Sequence, residues 1–285
     1  MPTNRIYHYT NIDSLALILK TRNLRFTRLD GVDDVREAQY HAGINFGKFF
    51  FVSCWTQESE ENIPLWNMYS REMQGVRLEL PEFPFVNHPL RPNPEWDGIE
   101  CEDGLNGPLP FEALCGSSYF IVPMFFNRDH FAGPIEYVPS VEEVYVRSIR
   151  REIHANGRVN LGIDGLPMLP RHKSREWSFQ KEYRFSLFVL PSLPVTPDGS
   201  GTKTFTARVS EHMSQSFINN IDPGITYIDI PLDPSVFQEL IVRMGPLCSS
   251  GGQASVEALV SRFAPEARIE QSVLIGAIRP RDWSR

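Results

Sequence analysis

Hydrophobic residues recur along the chain in short stretches, some with helical spacing and some in the alternation of a strand. These stretches predict many brief helices and strands. Residues 6–9 predict a first strand, and the i, i+3, i+4 spacing of Leu15, Ile18 and Leu19 predicts a helix after it. Further strands are predicted over 24–28, 48–55, 76–80, 118–125, 177–190, 225–231, 239–244 and 267–274, and further helices over 35–41, 63–73, 141–155, 208–219 and 254–263. This mixture predicts one α+β domain over 1–285 with a mixed, partly antiparallel sheet.

Two segments lack these patterns and are predicted to be loops. Residues 81–110 are rich in proline, glycine and acidic residues, and they belong to a loop-rich insertion predicted over 81–117. Loops of that length tend to be functional or mobile. Residues 157–172 are predicted to form a second loop.

The segment 177–190 has the clearest alternation in the chain. Large apolar side chains take one face, while Gln180, Glu182 and Arg184 share the other. A carboxylate between an amide and a guanidinium can stay ionised and oriented. Such a group can stabilise an oxocarbenium-like sugar carbon, as in glycoside cleavage. The alternative is a solvent-facing strand surface that carries a Glu–Arg pair two residues apart.

Two earlier parts of the chain also contain candidate functional residues. His8, at the end of a strand and before a helix, can direct a ring nitrogen into a cleft, or it can be a hydrogen-bonded structural residue. Trp66 and Tyr69 are three residues apart on the predicted helix 63–73 and lie on one face of it. They can form a stacking wall for a flat ring, or they can pack in an ordinary core.

The composition is that of a globular protein with a slight acidic surplus. The 285 residues are 41% hydrophobic and 22% charged, with a formal net charge of −7. Residues 147–184 differ, because this segment contains nine Lys and Arg residues but only four acidic residues. A local basic zone in an acidic chain suits a phosphate-bearing ligand better than long duplex DNA. The alternative is a solvated basic helix followed by a loop.

The sequence gives no support for a membrane protein, a disulfide-stabilised protein or a structural zinc site. No apolar run approaches the roughly 20 residues of a membrane span, and the N-terminus has no signal-peptide core. The four cysteines are scattered and form no CxxC pair. We therefore expect a cytoplasmic protein without a membrane partner, and the oligomeric state stays open.

Nucleophilic-cysteine and metal chemistry are weaker candidates. Cys54, paired with His8 or His41, would be the nucleophile, but its apolar surroundings predict a buried, inert thiol. The acids at positions 30, 33, 34 and 37 could hold a hard cation, although an acid-rich helix turn explains them more simply. No known metal-ligand spacing occurs, and we expect no metal site.

The chain resembles a bacterial family of unknown function over about residues 6–275. Two departures from that family's pattern occur: 33–37 reads Asp-Asp-Val-Arg-Glu where Asn-Asp-Pro-x-Glu is usual, and Gln180 replaces a Glu. The matching residues are Tyr7-His8-Tyr9-Thr10, Leu24-Arg25-Phe26-Thr27, Ser53-Cys54-Trp55, Trp66 with Tyr69, Gly75-Val76, and the late Lys173, Trp177, Gln180, Glu182, Tyr183 and Arg184. This resemblance implies no established activity.

A second resemblance implies a chemical activity. The opening His-x-Thr strand and the Leu-rich helix after it are similar to the start of ADP-ribosyltransferases, particularly DarT-like DNA-modifying toxins. The late Gln180-x-Glu182 matches the position of their catalytic motif. The resemblance implies a split-sheet, ADP-ribosyltransferase-like fold and NAD as the substrate. It implies His8, Gln180 and Glu182 as catalytic residues, and Thr10, Arg25, Arg28, Trp66, Tyr69 and Arg184 as NAD-binding residues.

The resemblance does not identify the acceptor of the ADP-ribose group, which can be a protein side chain, a nucleobase or water. With water, the protein would be an NAD glycohydrolase, and by analogy it would be a toxin or an anti-phage effector. Two alternatives remain: a non-enzymatic nucleotide-binding sensor, and a metal-dependent nucleic-acid enzyme that uses Asp33, Asp34, Glu37 and the part of the basic zone from Arg147 to Lys173. The positions of His8 and Glu182 relative to one cleft distinguish these interpretations.

Overall fold

A ten-stranded mixed sheet is the centre of the protein, as seen in a computed structural model that describes residues 4–89, 106–157, 159–193 and 205–279. Seven strands follow one another in the order β10-β15-β5-β1-β6-β17-β18, and β2, β9 and β16 join from the sides. Among the strand pairs described in this sheet, only β17–β18 is parallel. The predicted α+β class with a mixed, partly antiparallel sheet is therefore confirmed.

The strands are β1 (Arg5–Thr10), β2 (Asn23–Arg28), β3 (Tyr40–His41), β4 (Ile44–Asn45), β5 (Phe50–Thr56), β6 (Val76–Pro81), β7 (His88–Pro89), β8 (Asn106–Gly107), β9 (Tyr119–Val122), β10 (Ala132–Pro134), β11 (Glu136–Val138), β12 (Ile149–Ile153), β13 (Val159–Ile163), β14 (His172–Ser174), β15 (Glu182–Pro191), β16 (Tyr227–Pro231), β17 (Ile241–Met244) and β18 (Arg268–Gln271). The helices are α1 (Ile12–Thr21), α2 (Ile63–Tyr69), α3 (Arg128–Phe131), α4 (Val141–Ser148), α5 (Phe205–Ile218), α6 (Val236–Glu239) and α7 (Ser250–Phe263).

The sheet splits beside β5. One edge of β5 pairs with β15 along its whole length. The other edge is shared, because β1 pairs with it only at Thr56 and β2 only at Val52 and Phe51. Residues 53–55 therefore have no described strand beside them on that edge. Helix α1 connects β1 to β2 and spans the resulting gap, and its first turn is capped by the Asn11 side chain, which accepts from Ser14 N at 2.8 Å.

Strand β15 is buried along nearly its whole length. Every residue from Glu182 to Leu190 is buried, because β5, β9 and β10 flank the strand and aromatic rings cover it. Phe185 packs edge-on against Phe85, with ring centroids 5.1 Å apart, and tilted against Phe131 at 5.3 Å. Both faces of this strand are thus interior, and the predicted solvent-facing alternative for Glu182 and Arg184 is wrong.

The predicted strand 177–190 is wrong in its first part. A 3₁₀ turn occupies Arg175–Gln180, and Lys181 has a left-handed φ of 42° before β15 begins. The Thr56 hydroxyl donates to the Lys181 carbonyl at 3.0 Å and holds this turn against the end of β5. Gln180 therefore reaches the region of Glu182 from a turn and not from the same strand face.

Three predicted helices also differ from the structure. The helix 141–155 ends at Ser148, and a β12–β13 hairpin around Gly157 (φ 78°) replaces its second half and part of the predicted loop 157–172. The helix 35–41 is absent: Asp34 accepts from Arg36 N in a turn, and a small β3–β4 hairpin follows. The helix 63–73 ends at Tyr69, because residues 71–73 are all left-handed.

The predicted insertion 81–117 lies partly outside the described residues, which omit 90–105. Its described ends belong to the main structure. β7 pairs with β8 across the gap, and Leu109, Phe111 and Leu114 are buried in the hydrophobic core. The segment after residue 105 therefore contributes to the packing of the domain.

Candidate functional site

A cavity of about 410 Å³ lies in the split of the sheet, between α1, β2 and the unpaired edge of β5. Strand β1, helix α2 and the start of β15 complete its wall. Seven of the nine site residues predicted from the sequence line it. They are His8, Thr10, Arg25, Tyr69, Gln180, Glu182 and Arg184. Residues more than 170 positions apart thus meet because β5 lies between β1 and β15.

Glu182 belongs to a buried quartet with Glu37, Lys173 and Arg184. Lys173 Nζ lies 3.1 Å from Glu182 Oε2 and 3.1 Å from Glu37 Oε1. Arg184 Nε donates to Glu182 Oε1 at 2.6 Å, and its Nη1 donates to Glu37 Oε2 at 2.5 Å. No member is more than 4% exposed. The quartet is a closed ring of two carboxylates and two cations.

The ring fixes the charge of its members. Burial raises the pKa of Glu182, but Arg184 and Lys173 outweigh it and lower that pKa to about 2. For Lys173 and Arg184, burial lowers the pKa, and the two glutamates outweigh it and raise it. All three groups are therefore ionised at neutral pH. Glu182 is a permanent carboxylate on the cavity wall.

His8 presents a neutral imidazole to the cavity. Its Nδ1 lies 2.9 Å from the Cys54 carbonyl oxygen, on the unpaired stretch of β5. A carbonyl only accepts, so we assign the ring proton to Nδ1, which leaves the Nε2 lone pair as an acceptor. Burial lowers the pKa of His8, and the Cys54 carbonyl opposes that shift. Trp55 flanks the ring at 5.0 Å.

Tyr69 and Gln180 form one hydrogen-bonded part of the wall. Gln180 Nε2 donates to the Tyr69 hydroxyl oxygen at 2.7 Å. Burial raises the pKa of Tyr69, and the nearby Asp33 carboxylate raises it further, so the phenol keeps its proton. The Gln180 amide thus holds the phenol oxygen, and the Asp33 carboxylate lies close to it.

Arg25 lies at the outer part of the cavity. Its Nε and Nη2 donate to the two Asp229 carboxylate oxygens at 2.9 and 3.0 Å, and its guanidinium lies 3.7 Å above the Tyr227 ring. The two N–H groups of Nη1 and the second N–H of Nη2 are left for a ligand. Thr10 is buried on the same wall, at the end of β1.

Two of the predicted NAD-binding residues do not line the cavity. The Arg28 guanidinium is held by the carboxylates of Asp30 and Asp222 at 2.7 to 3.1 Å. The Trp66 ring is fully buried, and its indole N–H donates to Glu61 Oε2 at 2.9 Å. Trp66 instead packs edge-on against Tyr9 at 4.9 Å, in the core that the sequence left as its alternative role.

The residues of the nucleic-acid-enzyme alternative do not assemble. Glu37 is engaged by Lys173 and Arg184, and the described residues contain no group of three or more potential ligands that could hold a metal ion. The basic zone does not form one exposed surface either, since Lys173 and Arg184 are buried and Arg150 pairs with Asp164 at 2.7 Å.

Sequence reasoning missed the roles of Lys173 and Glu37. Lys173 was assigned only to the basic zone and the family-like motif, and Glu37 only to a cation site or an acid-rich helix turn. Cys54 lines the cavity, but burial raises the pKa of its thiol, as does Glu182. A nucleophilic thiolate is thereby disfavoured.

None of the described helices is both long enough and apolar enough to cross a membrane. Comparison with protein-family models, with curated proteins and with solved structures gives no match to this chain.

Proposed function

We propose that the protein cleaves the bond between nicotinamide and ribose in NAD, as an ADP-ribosyltransferase or an NAD glycohydrolase. The supporting observation is that one cavity contains both His8 of β1 and an ionised Glu182 of β15. These are the two positions that the ADP-ribosyltransferase resemblance assigns to ribose binding and catalysis. The hydroxyl and amide groups of the wall suit a sugar.

In this proposal each side chain of the cavity has a separate role. Neutral His8 accepts a hydrogen bond from a ribose hydroxyl through Nε2. Glu182 accepts from the ribose 2′-hydroxyl and stabilises the positive charge that grows at C1′ as the bond to nicotinamide breaks. The Tyr69 ring provides an aromatic surface near the base, and Gln180, which holds Tyr69, orients the acceptor. Arg25 offers Nη1 to the pyrophosphate.

One observation favours a second candidate, the nucleotide-binding module without turnover. Lys173 and Arg184 balance the charge of Glu182 within 3.1 Å, and this weakens its field at a neighbouring carbon. A carboxylate used only to bind ribose hydroxyls needs no unbalanced charge. The two candidates predict the same ligand and differ in whether NAD is consumed.

The deciding experiment measures NAD loss and NAD binding by purified protein, with and without DNA, RNA and cell lysate. Glu182→Gln keeps the shape of the side chain and removes the charge. The matched control is Glu176→Gln, because the side chain of Glu176 is 68% exposed. We expect wild type and the control to consume NAD at the same rate and Glu182→Gln to lose at least about 100-fold, the size of an electrostatic catalytic effect.

Three outcomes separate the candidates. Faster loss with lysate or nucleic acid indicates transfer to an acceptor there, and loss in buffer alone indicates hydrolysis. Binding without loss in the folded wild type favours the binding module. If NAD neither binds nor disappears, the proposal is refuted. A toxin or defence role belongs to the same proposal, and it predicts that growth arrest on expression depends on Glu182.

A further inference from the structure

The cationic side chains that line the cavity are all paired with carboxylates. Lys173 and Arg184 are held in the buried quartet by Glu37 and Glu182. Arg25 is held by both oxygens of Asp229. A phosphate placed beside any of the three therefore also meets a carboxylate.

Three further cations near the cavity are paired as well. Arg28 pairs with Asp30 and Asp222, Arg71 pairs with Asp13 at 2.6 Å, and Lys181 pairs with Glu58 at 2.7 Å. None of these three lines the cavity. The cations of the wall and these three neighbours therefore offer a phosphate only weak electrostatic attraction.

One carboxylate of the wall has no cationic partner. Asp33 is exposed, lies beside the Tyr69 hydroxyl and forms no ion pair within the described part of the chain. The wall then holds three carboxylates and three cations, and Glu37 behind it adds a fourth carboxylate. The site as a whole carries one surplus negative charge, which attracts a cation and repels an anion.

The remaining polar groups of the wall are neutral. Hydroxyls and amides that exchange hydrogen bonds with sugar hydroxyls come from Thr10, Ser14, Asn23, Thr27, Ser53 and Gln180. Apolar contact comes from Leu17, which is half-exposed, and from Ile18. This combination suits a ribose with an aromatic base.

We propose that the cavity takes a phosphate-free pyridinium riboside, of which nicotinamide riboside is the simplest. The inference rests on the proposed function and specifies its substrate class. The positive pyridinium ring lies toward Asp33 and Tyr69, and the ribose lies toward His8 and Glu182. When NAD binds, its pyrophosphate lies at the Arg25–Asp229 rim and adds little affinity.

The reaction balances with water alone. The bond between C1′ and the pyridinium nitrogen breaks, and its electron pair neutralises the nitrogen. A water oxygen bonds to C1′, and the second water proton leaves to solvent. Ribose, nicotinamide and one proton are the products.

The test uses three ligands that share the pyridinium riboside and differ in phosphate: nicotinamide riboside, nicotinamide mononucleotide and NAD. The full-length wild-type protein is measured for nicotinamide release and, separately, for binding by calorimetry at low and high salt. We expect the kcat/KM of nicotinamide riboside to equal or exceed that of the mononucleotide. We expect its binding to weaken as salt rises, because the attraction is between a cation and the surplus carboxylate.

The outcomes separate the two proposals. If NAD is consumed and the kcat/KM of nicotinamide riboside is below that of the mononucleotide, the substrate class is wrong and the proposed function stands. If nicotinamide riboside binds at least as tightly as the other two but none is consumed, the substrate class stands and the reaction is refuted. If none of the three binds, both are refuted.

A pair of variants in one turn checks the role of the surplus carboxylate. Asp33→Asn should weaken binding of nicotinamide riboside by about two- to fivefold, the range of a single exposed charge contact. Asp30→Asn makes the same change three residues earlier, outside the cavity wall, and should leave that affinity unchanged. Equal effects of the two variants would overturn the placement of the pyridinium beside Asp33.

Discussion

Removing the charge of Glu37 should destabilise the protein far more than its position in the predicted acid-rich helix turn suggests. Glu37→Gln keeps the volume of the side chain but leaves Lys173 and Arg184 facing Glu182 alone. The Glu37 side chain is 1% exposed and its partners are 4% and 0% exposed, so water cannot replace the lost charge. The buried site would then carry an uncompensated positive charge.

The size of the effect follows from these contacts. Breaking a buried ion pair by removing one partner costs about 3–5 kcal/mol, and Glu37 contacts two cations. The amide oxygen that the substitution introduces can still accept a hydrogen bond, so we expect the lower part of that range, about 3 kcal/mol. At roughly 2 °C per kcal/mol for a chain of this size, the melting temperature should fall by about 6 °C.

Urea unfolding followed by tryptophan fluorescence measures the free energy change. Glu176→Gln, on an exposed side chain, is the matched control and should stay within about 0.5 kcal/mol of wild type. The double variant Glu37→Gln with Lys173→Met restores charge balance and should be more stable than the sum of the single losses by at least about 2 kcal/mol. Additive losses, or a Glu37→Gln loss below about 1 kcal/mol, would refute the closed-ring interpretation.

Three further predictions concern single residues of the cavity and its surroundings. Burial lowers the pKa of His8 below its usual 6.5, so the unfolded chain takes up a proton at a higher pH than the folded chain does, and stability is lost as pH falls below about 6.5. His8→Asn should flatten the slope of unfolding free energy against pH below about 6.5. Native-state alkylation at pH 8, mapped by mass spectrometry, should label exposed Cys115 and spare Cys54, whose pKa burial raises more. Trp66→Phe should cost about 1–2 kcal/mol through its lost indole hydrogen bond without changing ligand affinity, whereas Tyr69→Phe should weaken ligand binding in calorimetry.

The order of strands and helices could be predicted where periodicity is strong. Residues of β1, α1, β2 and β16 fall where the hydrophobic pattern places them. The hydrophobic pattern does not predict element boundaries that depend on backbone conformation. At Lys181 a left-handed residue separates a 3₁₀ turn from β15, and at positions 71–73 three such residues end α2. Side-chain periodicity contains no information about these backbone angles.

The candidate site could be predicted in most of its members but only partly in its electrostatics. His8 and Glu182 were placed in one cleft by resemblance and by their chain order, and both line the cavity. Arg184 was predicted beside Glu182, but the other two members of the quartet were not. Lys173 pairs with Glu182 across a turn, and Glu37, which contacts Lys173 and Arg184, lies 145 positions before Glu182. Long-range pairing of buried charges depends on topology, and a single sequence does not show topology.

The buried quartet links the stability of the fold to the choice of ligand. Its two carboxylates and two cations cancel, so none of its cations is free to attract a phosphate. A change that improves phosphate binding, such as removal of the Glu37 charge, would free a cation only by leaving it buried and unpaired. The cost of that state, about 3 kcal/mol, falls on the folded protein whether or not a phosphate is bound. The fold therefore favours keeping the cations paired, which is why the substrate class proposed above depends on the unpaired carboxylate of Asp33.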